Sequence, residues 1–565
     1  MKQFKKVLAV VMCLCLLACT AVFTANAATQ KGSIVIQSTS EVSVNGREFI
    51  IYKIFNAESS TSADGKKIVS YQWDNTTKSL YEEFFFGTGG AAGEIPGKTS
   101  GTIHDVADYI RSFDGKASEF SQFAARLYNF INSNNALKST GIEQKATSDT
   151  HVISDLDLGY YMIYDNTDLT VAGSAHKVRS AVMLETAGAT TPITIKADLP
   201  TINKLVMGND NVLQKGTSCN IGDCVKFVIQ THVPDHELYT TKYDFKIEDE
   251  LHTGLEYFDD HADHTFVLKV NDVVVTNNYT NNVVGNKITV IVDAKNLNKD
   301  DQISIEYHAK VTANAQAVNK NTATLTYSAD PVNPSVVGTD NSSAYVYLYQ
   351  VVFTKYAENT SGQVSATRLG GAEFQLYRKT DAGSELIHFT EVEATNADGK
   401  VFYKYFVAPE EIAGVTTSVL KTVNDPSYGA SNVINGGGFG DLFIFGLSED
   451  DYELDEIKAP EGYVLPNYRF QISIYDEIGL ASGAVTTLQL KTTTTGAAGD
   501  TGGKIVNAGF QLDKHAIYGS ITNATGQSLP GTGGIGTTLF TVLGIVLMAG
   551  ALAFFTSRKR SSVVA

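Results

Sequence analysis

From Leu539 to Phe555 the chain carries an uncharged, strongly apolar run, closed by Arg558-Lys559-Arg560. A helix over this run, helped by the uncharged residues from Gly533, spans most of a bilayer, and the basic tail holds its end in the cytoplasm. Whatever precedes it must then fold as water-soluble structure on the outer side. Directly before the run stands Leu529-Pro530-Gly531-Thr532-Gly533, held just outside the membrane. Pro530 keeps Leu529 extended and out of a helix, so that a cleft can read the segment as a strand.

The other end agrees with export. Lys2, Lys5 and Lys6 precede the apolar stretch Val7 to Phe23 and the small-x-small triplet Ala25-Asn26-Ala27, which marks residues 1–27 as a secretory signal peptide. Three of the five cysteines fall inside it, leaving Cys219 and Cys224. A lone Cys-x4-Cys in an exported chain either closes a small disulfide across a hairpin or stays as two thiols. A zinc site needs two more ligands, and none lies close by in sequence. Asp259-Asp260-His261-Ala262-Asp263-His264 reads as a polar turn between strands, so no metal is assigned. A net charge of −17 argues against nucleic acid as a partner. No Gly-rich phosphate loop follows a strand and no Ser-His-Asp arrangement rises above chance, so neither a cofactor nor conventional turnover is expected.

The segment from Ala28 to Leu199 mixes strand-like runs (33–37, 48–55, 160–164) with helical spacing at 103–113 and 119–131, where Phe120, Phe123, Ala124, Leu127 and Ile131 share one face. Residues 200–350 are almost purely strand and turn: 225–230, 243–248, 266–270, 287–292, 303–311 and 323–327. Short strands at this spacing predict a β-sandwich. A third β-rich region covers 351–527, ahead of the terminal signal at 528–565. The expected fold is mainly β: tandem immunoglobulin-like β-sandwiches, the first with a helical insert, between a signal helix and a C-terminal transmembrane helix.

Several motifs carry a family resemblance. Leu529-Pro530-Gly531-Thr532-Gly533 with its apolar run and basic tail resembles the LPxTG sorting signal that Gram-positive sortases cleave between Thr and Gly, here Thr532 and Gly533. Cuts after Ala27 and Thr532 leave 505 residues (532 less 27), enough for about three domains. Pro200-Thr201-Ile202-Asn203-Lys204, Ile247-Glu248-Asp249-Glu250-Leu251 and Asn321-Thr322-Ala323-Thr324-Leu325 resemble the isopeptide-forming middle domain of fimbrial proteins. Phe353-Thr354-Lys355-Tyr356, the pilin E box Tyr452-Glu453-Leu454-Asp455-Glu456-Ile457-Lys458-Ala459-Pro460 and the closing Ile521-Thr522-Asn523 resemble the collagen-adhesin B-type domain. Together they place the chain beside the sortase-assembled backbone pilins.

The resemblance implies a spontaneous Lys–Asn amide inside each of these two sandwiches. The residue types suit that chemistry. Burial among aromatic rings penalises an ammonium, so a buried lysine can present a neutral amine. A buried carboxylic acid kept protonated can polarise the carboxamide and shuttle protons as ammonia leaves. Carried over residue by residue, the middle domain uses Lys204, Asn321 and Asp249, with Glu248 as the fallback acid; the two acids point to opposite faces of a strand. The third domain uses Lys355, Glu456 and Asn523, favoured for its spacing from the pentapeptide, with Asn507 on another plausible final strand as the alternate. Each link is expected to join the first and last strands of its domain.

Polymerisation needs an exposed lysine to attack the Thr532 acyl-enzyme of the next subunit. The Tyr-Pro-Lys-Asn setting common in such pilins is missing, and Lys196 in Ile193-Thr194-Ile195-Lys196-Ala197-Asp198 is the nearest equivalent. The expected protein is a structural pilus subunit of the cell surface, not an enzyme. Its expected partners are a pilin-class sortase, a housekeeping sortase, further copies of itself, ancillary pilins and peptidoglycan. The alternative is a monomeric wall-anchored adhesin or tip pilin whose first domain binds a host ligand.

Overall fold

The computed structural model describes residues 31–61, 67–89, 91–171, 176–187, 192–239, 242–260, 264–359, 361–430, 437–492, 503–526 and 535–561. The signal peptide and the pentapeptide 529–533 lie outside these. The chain divides into two compact units, one running to Tyr347 and taking in Ile478–Ala484, the other holding Leu348–Glu477 and the residues from Val485 onward.

In the first unit, residues 31–199 combine strands and helices. Glu48–Thr61 pairs with Lys67–Gln72, Ile142–Lys145 and Gly159–Asp165, while Lys31–Gln37 pairs with Thr150–Asp157 and Ile193–Thr194. Helices Ile103–Arg111 and Ala117–Ser133 fall where the helical spacing predicts. The first is held by a Thr102/Asp105 capping box. The second buries Phe123, Ala124, Leu127 and Ile131 against Tyr52, Phe55, Met162 and Tyr164. A further helix, Lys78–Phe86, has no counterpart in the sequence reading; its Phe84-Phe85-Phe86 run is buried without a helical period. This region is closed by a buried ion pair: Arg47 Nη1 donates to Asp165 Oδ2 (2.5 Å) and to Val178 O (2.8 Å).

Residues 202–347 form two facing sheets. One runs Leu213–Gln214, Ile202–Met207, Cys224–His232, Gln302–Val311, Val267–Val270, Val273–Val274, with Leu255–Phe258 also on Gln302–Val311. The other runs Gly216–Ser218, Val337–Tyr347, Val318–Ser328, Phe245–Glu250, Lys287–Val292, Tyr279–Val284. Period-two burial decides what faces the core. Ile303, Ile305, Tyr307, Ala309 and Val311 are inward along one strand, Phe245, Ile247 and Asp249 along another. One expectation is corrected: the Asn321 strand is not the last, because Val337–Tyr347 follows it and pairs with it along its whole length.

The second unit is also a two-sheet sandwich. Tyr349–Glu358 lies between Asp441–Leu447, antiparallel, and Ala516–Asn523, parallel. The facing sheet carries Glu373–Thr380, Asp450–Lys458, Phe470–Ile478 and Val485–Thr492. The helix Ile535–Ser561 contains the apolar span Leu539–Thr556, of mean hydropathy 2.3 and with none of it buried.

Candidate functional site

Lys204 follows Ile202 on the inward face of its strand, so the fold drives a lysine into a core. Its backbone is fixed from two sides: Lys204 N donates to Ser342 Oγ (2.9 Å), and Lys215 Nζ donates to Lys204 O (2.8 Å). The ammonium lies 5.0 Å from the Phe227 ring centroid and 5.2 Å from that of Tyr307. It contacts Asp249 Oδ2 from the opposite sheet and donates to Tyr307 Oη at 2.7 Å. Tyr307 Oη in turn donates to Asp249 Oδ2, and Asn321 Nδ2 donates to Tyr307 Oη at 2.9 Å. Burial pushes the Lys204 amine down to about 8, against the pull of Asp249. The same burial, with Asp249 alongside, raises the Tyr307 hydroxyl well above its ordinary value.

The second cluster sits in the other unit. Lys355 Nζ donates to Glu456 Oε2 at 2.8 Å and lies 5.2 Å from the Phe374 ring centroid. The parallel register sets Lys355 opposite Ile521 and Ala357 opposite Asn523, which puts the asparagine on the adjoining strand. Asn523 Nδ2 donates to Val464 O at 2.8 Å. Lys355 N donates to Gly440 O (2.9 Å), a close approach only glycine allows: φ at Gly440 is +85°, and a Cβ there would sit 2.6 Å from Leu369 O. Burial lowers the Lys355 amine to about 8. It raises the Glu456 carboxyl, which Lys355 and the neighbouring Asn523 carboxamide pull back down.

The six side chains are at most 2% exposed. The two clusters also leave the same atoms without a hydrogen bond: one carboxyl oxygen (Asp249 Oδ1, Glu456 Oε1) and the carboxamide oxygen (Asn321 Oδ1, Asn523 Oδ1). Buried acceptors without a donor are costly, on the order of 1–3 kcal/mol each.

Other candidates are placed elsewhere. Glu248 points away from the core and bridges Lys246 (2.8 Å) and Lys287 (2.9 Å). Asn507 is on the strand beyond Asn523, where it pairs with Gly519, and its side chain lies outside the described residues. Cys219 and Cys224 are not bridged: Cys219 is buried, whereas Cys224 heads its strand with an exposed side chain. Lys196 is half-buried, with Nζ 5.8 Å from the Phe120 ring centroid, beside a surface cavity of about 530 Å³ lined also by Ile110, Phe113 and Lys116. Burial lowers its amine. Tyr307, the hub of the first cluster, was missed by the sequence reading. Its only signal is an inward position in the 303–311 alternation, which reads as ordinary core.

Residues 351–489 match the SpaA family, described as a prealbumin-like fold domain, and 521–562 match the LPXTG cell wall anchor motif. The trypsin-resistant surface T6 protein of Streptococcus pyogenes serotype M6 is 21% identical over 410 residues, covering 65% of this chain and 70% of the relative. Among solved structures, the T6 backbone pilin of the same serotype is 15% identical, with 89% of this chain and 100% of that chain covered at a TM-score of 0.47. The major pilin SpaD of Corynebacterium diphtheriae is 17% identical, with 88% and 98% covered at 0.42. An LPXTG anchor marks a chain for sortase processing and attachment to peptidoglycan. The chain is thus a cell-wall-anchored surface protein with a prealbumin-like domain, similar to sortase-assembled major pilins.

Proposed function

We propose that this chain is the backbone subunit of a covalent surface pilus, with domains at 28–199, 200–350 and 351–527, and that two autocatalytic amide bonds, Lys204–Asn321 and Lys355–Asn523, seal its last two domains. The observation that carries the reading is the double occurrence of a buried lysine, acid and asparagine in separate sandwiches, with the same two oxygens unpaired in each.

Passing one proton from Lys204 Nζ to Asp249 leaves a neutral amine beside a protonated acid, the two forms the reaction needs. The amine attacks Cγ of Asn321 while the acid stabilises the developing oxyanion. The Nζ–Cγ bond forms, the Cγ–Nδ2 bond breaks, and ammonia leaves. Glu456 plays the acid for Lys355 and Asn523. Packing supplies the orientation, so folding is the trigger.

Between subunits, a pilin-class sortase joins Thr532 to Lys196 of the neighbouring copy, and a housekeeping sortase transfers the finished polymer, with its ancillary pilins, to peptidoglycan. The half-burial that lowers the Lys196 amine favours its nucleophilic form. Intact mass is the test of the internal links: each bond removes one ammonia, about 17 Da, and peptide mapping recovers branched peptides at Lys204 and Lys355. Folded protein of unshifted mass overturns the cross-link reading. For the junction, Lys196→Ala is expected to abolish the high-mass ladder of wall extracts; a persisting ladder excludes Lys196.

A further inference from the structure

Amide formation has a proton requirement that the lysine, acid and asparagine of the middle sandwich do not meet by contact alone. Beyond the proton passed to the acid, Nζ must lose a second one as the new amide forms, and Nδ2 must gain one to leave as ammonia. Asn321 makes its single hydrogen bond to Tyr307 Oη, and neither its oxygen nor Asp249 Oδ1 has a partner. The atom that touches both nitrogens is the Tyr307 hydroxyl, 2.7 Å from Nζ and 2.9 Å from Nδ2. It is fully buried, stacked on Phe227 at 5.5 Å between centroids, and anchored by its bond to Asp249.

We propose that Tyr307 is a catalytic residue of the Lys204–Asn321 reaction, carrying the second proton from Nζ to Nδ2; this rests on the cross-link reading given above. In the tetrahedral intermediate Nδ2 is no longer an amide nitrogen and has a free lone pair. Oη takes a proton from Nζ as it hands its own to Nδ2, the C–N bond breaks, and the hydroxyl is regenerated. No oxidant or further reactant is involved. A hydroxyl held well above its ordinary pKa keeps its proton until that exchange. Among the described residues no tyrosine hydroxyl bridges the corresponding nitrogens of the third domain, where Lys355 Nζ donates to Glu456 and Asn523 Nδ2 to Val464 O. Lys355 and Asn523 therefore provide a control within the same molecule.

The test is a time course of cell-free synthesis of the full chain in mild detergent. Samples are quenched in acid and denaturant, digested, and both branched peptides are counted by mass spectrometry. Tyr307→Phe, which removes one oxygen, is expected to slow the Lys204–Asn321 link by roughly 10²-fold and to leave the Lys355–Asn523 link at its normal rate. Fluorotyrosine at position 307, which keeps shape and hydroxyl, is expected to restore the rate and to displace its pH profile toward lower pH. A phenylalanine variant within threefold of wild type overturns the relay and leaves the cross-link reading standing. Equal slowing by both substitutions assigns Tyr307 to packing and overturns the relay too. Wild-type chain lacking the middle link removes both proposals.

Discussion

Asn321→Ala isolates the mechanical worth of the middle cross-link, because it deletes the electrophile and spares the Lys204–Asp249 pair. The link closes a loop of 117 residues (321 less 204), and chain-entropy arguments give about 5 kcal/mol for a closure of this length. For a unit of this size each kcal/mol moves the melting temperature by about 2–4 °C. The middle sandwich is therefore expected to melt about 10–20 °C lower in the variant. Scanning calorimetry on the full chain in mild detergent, with mass spectrometry confirming that Lys204 is unlinked, measures the shift. A fall of less than about 5 °C in confirmed unlinked protein refutes the argument that loop closure supplies this stability.

The same Asn321→Ala chain has a pH signature. Its Lys204 amine sits near 8, against 10.5 for an ordinary lysine, so the unfolded state binds more protons between those values. Stability is then expected to rise with pH across that window. The wild type, with its lysine consumed in the proposed amide, is expected to show no such rise in denaturant midpoints taken from pH 7.5 to 10.5. Glu456→Ala is expected to abolish the third-domain link and to leave Lys355 buried without its ion-pair partner, at a cost of about 3–5 kcal/mol. Intact mass then shows one ammonia lost rather than two. Asp165→Ala removes the partner of buried Arg47 and is expected to destabilise residues 31–199 by about 3–5 kcal/mol, read from hydrogen exchange of Gly159–Asp165, with the mass deficit unchanged.

How much of this could be read from sequence depends on which signal each element carries. Strands such as 303–311 alternate strictly between buried and half-exposed positions, and period two exposes them at once. Val337–Tyr347 was invisible for the opposite reason. Its Gly338-Thr339-Asp340-Asn341-Ser342-Ser343 stretch has almost no apolar face, and it is a strand because the long neighbour Val318–Ser328 supplies its hydrogen bonds. Lys204, Asp249, Lys355 and Glu456 were legible through the motifs that resemble the fimbrial and collagen-adhesin domains, carried over residue by residue. Spacing from the pentapeptide favoured Asn523 over Asn507, and the parallel pairing of Tyr349–Glu358 with Ala516–Asn523 sets Asn523 beside the lysine strand. Tyr307 is legible only in three dimensions, because an inward tyrosine looks the same whether its hydroxyl is idle or bonded to three partners.

The position of the ties decides which parts of the subunit carry load. With Lys196 and Thr532 as the proposed junctions and both proposed links in place, tension would enter at 196, cross from Lys204 to Asn321, run on to Lys355, cross to Asn523 and leave at 532. Residues 205–320 and 356–522 are bypassed. The 33 residues 322–354 are not, and this follows from the correction that Asn321 lies on the penultimate strand of its sandwich. They form most of a hairpin loaded at its open end, since Asn321 pairs with Ala344 and Val318 with Tyr347. Hydrogen bonds loaded in this way break one after another rather than together. Residues 322–347 are thus the extensible element between the two proposed ties, able to release up to about 90 Å at roughly 3.4 Å per residue. Residues 31–195 hang outside the path altogether. A region that bears no tension has no need of a covalent closure, and its core is built from two apolar clusters, one around Phe85 and Phe123, the other around Phe49 and Ile163.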